Sequence, residues 1–272
     1  MQSDETYANV SFYIVPHADD WQLFMQPNAR NDLIDNNKKV VYIFTTAGDA
    51  GKEDIYWKAR EEGAKSSIRC CLLPFGSLNE SSGTKMFHSH NINYWTCNNV
   101  ISYFMRLPDG NMDGNGFARY KHHSLSKFAT AKIDTLTSVD DSTTYSSWQN
   151  LQETLADIIE TESTGYATAS VNYLDPSVTA NPNDHPDHIA TGNAIQNLKN
   201  ISQFQQVLFL GYSLRNSYAR IEETDFFWKT MMFAVYEKAV FDGSGISTLQ
   251  EGIEPYLEWC SRHSKYTVID SE

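Results

Sequence analysis

Two short runs of histidine and aspartate carry the side chains in this sequence that are best suited to metal-dependent chemistry. The first run, residues 17–20 (HADD), directly follows the apolar stretch Asn9–Val15. The second run, residues 185–188 (HPDH), follows another β-rich stretch at 166–173. Catalytic zinc sites take three protein ligands from imidazole and carboxylate groups and keep one position open for water. Together the two runs offer such a set and leave further carboxylate and imidazole groups for proton transfer.

The elements that position these runs are predicted from the alternation of apolar and helical patterns. Residues 9–15 and 39–45 have the composition of buried strands, and the segments that follow them, 21–35 and 54–71, have helical periodicity, with a kink at Pro27. Such an alternation predicts a parallel sheet with right-handed crossovers. Ligand sites in these sheets lie beyond the carboxyl ends of the strands, which is where both runs fall.

The rest of the chain predicts further elements of one α/β domain that spans residues 1–272. No repeat, low-complexity tract or linker divides the sequence, and the two runs must meet in space. Residues 73–145 are less regular and predict extra strands and long loops that face a substrate. The remaining predicted strands are at 166–173 and 206–214. The remaining predicted helices are at 147–162, 186–198, 226–241 and 249–262. The last two make a helical C-terminal region at about 226–262.

Composition and charge argue against several classes of protein. The formal net charge of −13 makes nucleic acid and anionic membranes poor partners, because both prefer a basic face. No stretch approaches the roughly 18 apolar residues of a membrane-spanning helix. The first ten residues are polar and acidic rather than leader-like, so a cytoplasmic protein is expected. Four cysteines show no metal-binding spacing and are expected to be reduced thiols: Cys70, Cys71, Cys97 and Cys260.

Either run taken alone has an ordinary explanation as a turn followed by a helix cap. Because both follow β-rich stretches in one α/β chain, a shared metal site explains them better. Asp184 or a nearby polar group is expected to cap the helix that follows, with Pro186 in its first turn. His188 is expected to stay neutral, because the positive end of that helix disfavours an imidazolium.

These motifs resemble the PIG-L (LmbE-like) family of zinc-dependent deacetylases. The specific elements are PHADD and HPDH, and the supporting ones are TTAGDAG at 45–51 and AREEGA at 59–64. The likeness covers about residues 12–211, most of the chain. It implies a Rossmann-like three-layer α/β fold, with a mostly parallel central sheet and helices on both faces. The implied activity is removal of acyl groups, usually acetyl, from amides of glucosamine-type sugars or related conjugates.

The resemblance implies that His17, Asp20 and His188 are metal ligands that hold Zn²⁺ or another divalent cation. Two features depart from the family pattern. Trp21 stands where the family commonly has Glu. Because that Glu is not a metal ligand in the family, the difference affects the residues packed around the ligands and not metal binding itself. Some members also place a mobile Tyr shortly before HPDH, and this sequence has Asn183 and Asp184 there. We therefore do not assume that a tyrosine acts as a general acid.

The other roles follow from the same resemblance. Asp19 is expected to be the general base that takes a proton from the attacking water. His185 is expected to stabilise the oxyanion of the tetrahedral intermediate as an imidazolium, with Asp187 orienting it. Arg60 and Asp109 are expected to contact the substrate.

The predicted partner is a small N-acetylated sugar or glycoconjugate, and the sequence makes no prediction of oligomeric state. Two other functions stay open: an amidase of thiol conjugates or other N-acyl substrates, and a non-catalytic metal- or sugar-binding protein. The intact Asp19 and His185 argue against the second, because a binding protein needs neither. Asp49 either lines the site or stabilises its turn. Four aromatic residues could stack on a sugar, although core packing is the favoured explanation: Tyr94, Trp95, Phe104 and Phe117.

Overall fold

A computed structural model describes residues 7–218 and 220–271 of the 272-residue chain. The first six residues, on which the prediction of a leaderless start partly rests, lie outside the described residues. Among the helices of the described part, none combines the length and the apolar character needed to cross a membrane. The four cysteines are free thiols, as expected, and three of them are buried.

Strands and helices alternate along most of the described chain. The strands are β1 (Asn9–Val15), β2 (Lys38–Thr46), β3 (Glu80–Phe87), β4 (His90–Cys97), β5 (Val100–Leu107), β6 (Leu136–Thr137), β7 (Thr144–Tyr145), β8 (Thr168–Leu174), β9 (Gln205–Phe209) and β10 (Tyr266–Ile269). The α-helices are α1 (Asp20–Phe24), α2 (Asn28–Leu33), α3 (Asp54–Leu72), α4 (Leu125–Ala129), α5 (Trp148–Ser163), α6 (Pro186–Gln196), α7 (Glu223–Ser244) and α8 (Glu254–Cys260).

Eight of the described strands form one sheet in the order β10-β9-β8-β1-β2-β5-β4-β3. The five central strands from β9 to β5 run parallel, whereas β10, β4 and β3 pair antiparallel at the two edges. Strand β1 lies between β2 and β8, so its carboxyl end opens at the middle of one sheet edge. This confirms the predicted α/β fold with a mostly parallel sheet.

Alternate residues of the central strands pack into cores on opposite faces of the sheet. Val15 and Phe44 belong to one core with side chains of α3 and α7. Phe12 and Ile43 belong to the other core with side chains of α5 and α6. Burial on both faces explains why β1 and β2 are nearly continuous apolar runs in the sequence. The arrangement is the three-layer fold that the resemblance implied.

One prediction around these strands was wrong in detail, and another was confirmed. The single kinked helix expected over 21–35 is two short helices, because Pro27, which has no backbone N–H, stands between α1 and α2 as the N-cap of the second. The extra strands expected within 73–145 are present. Strands β3, β4 and β5 complete one edge of the main sheet, and the long irregular stretch begins after Leu107.

The C-terminal region differs from the prediction as well. The strand expected over 206–214 ends at Phe209 and is followed by a 3-10 turn, Tyr212–Asn216. The last predicted helix is shorter and begins at Glu254, after a 3-10 turn at Thr248–Glu251. Strand β10 was not predicted, since all four of its residues are exposed and it has no buried apolar run.

Candidate metal centre

Three predicted ligands from distant parts of the chain meet beyond the carboxyl end of β1. His17 Nδ1 lies 3.3 Å from Asp20 Oδ2, and Asp20 Oδ1 lies 3.2 Å from His188 Nε2. One ligating atom from each of the three lies within 4.8 Å of the others, and all three side chains are buried. Among the described residues, His188 Nε2 has no hydrogen-bond partner. Two imidazoles and a carboxylate at this spacing fit a divalent metal ion.

Each imidazole of this set is oriented by a second carboxylate. His188 Nδ1 lies 2.9 Å from Asp184 Oδ1, and His17 Nε2 lies 3.3 Å from Asp187 Oδ2. A ring nitrogen that donates to a carboxylate leaves the other ring nitrogen with a free lone pair. Both free lone pairs, on His188 Nε2 and His17 Nδ1, are then on the side of Asp20. The carboxylates of Asp184 and Asp187 behind the two rings are a further reason to regard the cluster as a metal centre.

The protonation expected for His188 was wrong for the metal-free protein. Burial lowers the pKa of His188, but the carboxylates of Asp184 and Asp20 outweigh it and raise the pKa to about 10. The sequence argument considered only the end of the helix, whereas two carboxylates within 3.2 Å of the ring dominate. A bound cation takes the place of the imidazolium proton.

His185, rather than Asp184, caps helix α6. The backbone N–H of Asp187 donates to His185 Nδ1 at 3.1 Å, whereas Asp184 orients His188 and accepts from the backbone N–H of Tyr212 at 3.0 Å. Of the capping groups that the sequence left open, the structure has the polar neighbour of Asp184, and Pro186 stands in the first turn as expected. Asp184 stands four residues before His188, just ahead of the helix, and its carboxylate reaches back to the His188 ring.

His185 is neutral rather than an imidazolium. Burial, together with the nearby charge of His17, lowers the pKa of His185 to about 4. Since Nδ1 accepts a hydrogen bond, the proton of the neutral His185 ring belongs on Nε2. His185 also lines the cavity next to the cluster. Asp187 orients His185 through its backbone N–H, and its carboxylate accepts from the backbone N–H of Gly110 at 2.9 Å. A Cβ on Gly110 would lie 2.4 Å from Asp187 Oδ1, so only glycine allows this approach.

Asp19 lies beside the cluster and is held by Arg60. The guanidinium donates from Nη2 to Asp19 Oδ1 at 2.5 Å, from Nη1 to the Gly48 carbonyl at 2.7 Å and from Nε to the Tyr236 hydroxyl at 2.7 Å. Gly48 has φ +57°, and a Cβ there would lie 2.5 Å from Arg60 Nη1. Arg60 also lines the cavity, and two of its five N–H donors remain for a ligand.

Asp49 ties the loop after β2 to the loop after β5. Its Oδ1 accepts from the backbone N–H of Asp109 at 2.9 Å, and its Oδ2 accepts from Gly51 at 2.8 Å. Burial and the charge of Asp109 raise the pKa of Asp49 to about 6. Of the two roles open for Asp49, the structure shows the turn-stabilising one. Asp109 itself lines the cavity. Its carboxylate accepts a hydrogen bond from the backbone N–H of Asn111 at 2.7 Å.

A cavity of about 330 Å³ opens above these residues, and the C-terminal part of the chain forms its outer wall. Tyr212 stacks on Trp259 with ring centroids 4.8 Å apart and approaches the His188 ring at 5.1 Å. Nothing in the local sequence pattern identified this wall. It is lined by Tyr212, Ser247, Thr248, Gln250, Tyr256 and Trp259.

The aromatic residues considered as sugar-stacking groups divide between core and cavity. Trp95 and Phe104 are buried in the core, as favoured. Phe117 instead lines the cavity. Trp21, which stands where a Glu is common, is fully buried against Tyr42 with ring centroids 5.0 Å apart. It therefore contributes to packing beneath the site.

Comparisons with known proteins identify the family and a shared fold. The family model "PIG-L: GlcNAc-PI de-N-acetylase" matches residues 12–199, more than half of the chain. Among solved structures, the N,N'-diacetylchitobiose deacetylase from Pyrococcus horikoshii is similar, with a TM-score of 0.51 and 15% identity over 96% of this chain and 83% of that one. The zinc-inhibited form of teicoplanin deacetylase Orf2 has a TM-score of 0.49 and 13% identity over 97% and 99%. No curated protein matches the sequence significantly.

Proposed function

We propose that this chain, which belongs to the PIG-L family, is a metal-dependent hydrolase that removes an N-acetyl group from an N-acetylated amino sugar or small glycoconjugate. One observation carries the proposal. A buried set of His17, Asp20 and His188, with ligand atoms within 4.8 Å of one another, adjoins a cavity that His17, Asp20 and Asp19 line. The family and the shared fold with a diacetylchitobiose deacetylase support an amino-sugar amide as the substrate.

His17 Nδ1, Asp20 and His188 Nε2 would hold the metal ion. The mixed nitrogen and oxygen donors suit Zn²⁺. When bound, such an ion polarises the amide carbonyl and lowers the pKa of water. Asp184 accepts from His188 Nδ1 and Asp187 accepts from His17 Nε2, which leaves His188 Nε2 and His17 Nδ1 with the lone pairs that metal binding requires.

Asp19 is proposed as the general base. Arg60 holds Oδ1, so Oδ2 is the oxygen that accepts a proton from the attacking water. The water oxygen bonds to the amide carbon, and the carbonyl oxygen gains the negative charge. Asp19 then returns its proton to the departing nitrogen as the C–N bond breaks. The products are acetate and a free amine.

His185 is proposed to stabilise the oxyanion as a neutral donor through Nε2–H. The bond from Asp187 N–H to His185 Nδ1 fixes this tautomer before the reaction begins. Preorganised donors of this kind lower barriers by about 3–4 kcal/mol. The two spare N–H groups of Arg60 and the carboxylate of Asp109 are proposed to bind hydroxyl groups of the sugar, since both residues line the cavity.

The proposal is tested by measuring acetate and amine release from a panel of acyl amides. The panel includes N-acetylglucosamine, its glycosides, N,N'-diacetylchitobiose and an N-acetylated thiol conjugate. We expect equimolar acetate and amine from an amino-sugar substrate, loss of activity with a chelator and recovery with Zn²⁺. Release from the thiol conjugate alone would contradict the sugar assignment. No release from any amide by zinc-replete protein would favour a binding protein.

A further inference from the structure

The lining of the cavity differs on the two sides of strand β1. Toward β2 and β5 it consists mainly of charged and amide side chains on the segments that follow those strands. Phe117 adds one ring there, since a Cβ on Gly51 would lie 2.5 Å from it. Tyr212 follows β9, on the opposite side of β1. The polar lining residues toward β2 and β5 are Lys52, Arg60, Asp109 and Asn111.

The hydroxyl groups of the outer wall lie on the same polar side. Ser247 and Thr248 donate to the carboxylate of Glu237 on α7. Tyr236, the preceding residue of α7, accepts from Arg60 Nε at 2.7 Å. Hydroxyl-rich ligands such as sugars need hydrogen-bonding partners of this kind, and their apolar faces stack on rings. This side of the cavity therefore suits the sugar part of a substrate.

Three rings form the other side, next to the imidazole of His188. Phe24 and Tyr212 approach that imidazole with ring centroids at 5.7 Å and 5.1 Å. Trp259 stacks on Tyr212 at 4.8 Å and meets Phe24 nearly perpendicularly at 5.3 Å. All three line the cavity, and they pack directly against one another. We call Phe24, Tyr212 and Trp259 the aromatic side of the cavity.

The aromatic side is held in place by hydrogen bonds to backbone groups. Trp259 Nε1 donates to the Tyr212 carbonyl at 3.2 Å, and the Tyr212 N–H donates to Asp184 Oδ1 at 3.0 Å. The Trp259 carbonyl accepts from the buried Lys229 Nζ at 2.8 Å. Because the backbone of both residues is tied in this way, the rings resist moving apart to admit a larger group.

The geometry of an amide decides which part of a substrate meets the aromatic side. The amide carbon carries its oxygen, its nitrogen and the acyl chain in one plane. In the proposed function the oxygen faces His185, and the nitrogen receives its proton from Asp19. Arg60 of α3 holds Asp19, so the nitrogen and its sugar lie on the polar side. The acyl chain is then directed toward the remaining side of the cavity.

We propose that the aromatic side binds the acyl chain of the substrate and limits it to the length of an acetyl group. This assignment rests on the proposed function. A methyl group needs no hydrogen-bond partner and gains from contact with ring faces. A longer chain has to displace Tyr212 or Trp259 from their packing and from the bonds that hold them.

Kinetics with one amino sugar that carries an acetyl, propionyl or butyryl group test the assignment. In the wild type we expect kcat/KM to fall by about tenfold or more with each added methylene. Trp259→Leu removes the indole and raises the ratio of butyryl to acetyl turnover by at least about tenfold. Tyr212→Leu carries the same expectation should Trp259→Leu fail to fold. Tyr212→Phe keeps the ring and is the matched control, with the wild-type ratio.

Calorimetry of carboxylate binding tests the same surface without turnover. Acetate, propionate and butyrate are titrated into zinc-loaded protein as stand-ins for the acyl product. We expect the wild type to bind acetate most tightly and Trp259→Leu to favour butyrate. Gln250→Ala alters the outer wall but not the aromatic side, so its order of preference stays that of the wild type.

The possible results distinguish the acyl assignment from the proposed function. A wild type that accepts butyryl as readily as acetyl would overturn the assignment. An equal loss of kcat/KM for every chain length in Trp259→Leu and Tyr212→Leu would also overturn it, because rings that stack on the sugar produce that pattern. Selective carboxylate binding without hydrolysis of any amide would support the acyl surface and contradict the deacetylase proposal.

Discussion

The floor and the outer wall of the cavity are built in different ways. On the floor, the two short runs at 17–20 and 185–188 lie at the end of β1 and the start of α6, and the His17 and His188 rings each face a carboxylate. The wall consists of aromatic faces with hydroxyl and amide groups from residues 212–259, beyond the segment that the family model matches. The difference teaches that the proposed chemistry is encoded in local motifs, whereas the wall of the cavity is assembled by tertiary contacts from distant sequence.

The two regions also differ in how they are held. The floor is fixed by the central strands of the sheet, which are buried on both faces. The wall depends on a few side-chain contacts from α7. Lys229 Nζ donates to the carbonyls of Trp259 at 2.8 Å and Arg262 at 2.9 Å, and Glu237 accepts from Ser247 and Thr248. The account therefore predicts that the floor and the wall can be disturbed separately.

The largest effect is expected from His188→Ala on the floor. Mutation of a residue that hydrogen-bonds to a metal ligand weakens metal binding by roughly 10- to 100-fold. His188 is itself a proposed ligand, so its loss is expected to weaken zinc binding by more than this, and activity is lost with the metal. Elemental analysis of purified protein measures the zinc content. The control is His88→Ala, since His88 is an exposed histidine. Stoichiometric zinc in His188→Ala would contradict the ligand assignment.

A smaller effect on the floor is expected from Asp184→Asn. The variant keeps the shape of the side chain but removes the charge that orients His188, so zinc affinity falls by about 10- to 100-fold. In the metal-free variant the pKa of His188 drops below the wild-type value of about 10, because one of the two carboxylates that raise it is gone. Zinc titration and NMR titration of the ring measure the two changes. Unchanged values for both would show that Asp184 serves only to support the Tyr212 loop.

The pH dependence of zinc binding gives the next effect. The pKa values of His188 and His17 are raised in the metal-free protein, so both rings carry protons at pH 7 that zinc must displace. Affinity therefore rises with pH, by about tenfold per unit for each proton released. Calorimetry in buffers of different ionisation enthalpy counts the protons. Zinc binding without proton release at pH 7 would mean that these imidazoles are not the ligands.

The smallest effect is expected on the wall, from Gln250→Ala. Its side chain lines the cavity, and loss of one neutral hydrogen bond to a sugar raises KM by about two- to tenfold. Since Gln250 belongs to the wall and is not among the proposed metal ligands or proton-transfer groups, kcat and zinc content are expected to stay unchanged. Steady-state kinetics on the best substrate of the panel measures both constants. A fall in kcat at constant KM would show that wall and floor are not separable.

Much of the floor could be predicted from the sequence because its signals are local. Strand β1 is a continuous apolar run that stops at the HADD run, and the HPDH run begins a helix after another strand. The order of strands and helices then placed both runs at the same sheet edge. The roles of Arg60 and Asp109 came only with the family resemblance, and the structure places both beside the cavity.

The remainder depends on tertiary contacts that local patterns do not report. The pKa values of His185 and His188 shift in opposite directions although the two residues share one helix turn, because only His188 has two carboxylates against its ring. The wall residues come together through the packing of α7 and α8 over the sheet edge. Strand β10 is short and fully exposed, so its sequence resembles a loop.

The measurement that tests the central claim most directly is turnover by zinc-loaded Asp19→Asn. The substitution removes the base but leaves the three ligand residues in place, so the protein retains stoichiometric zinc. The account predicts that turnover of the amino-sugar amide falls by about 10²- to 10⁴-fold. Turnover near the wild-type level with zinc bound would contradict the assignment of Asp19 as the base.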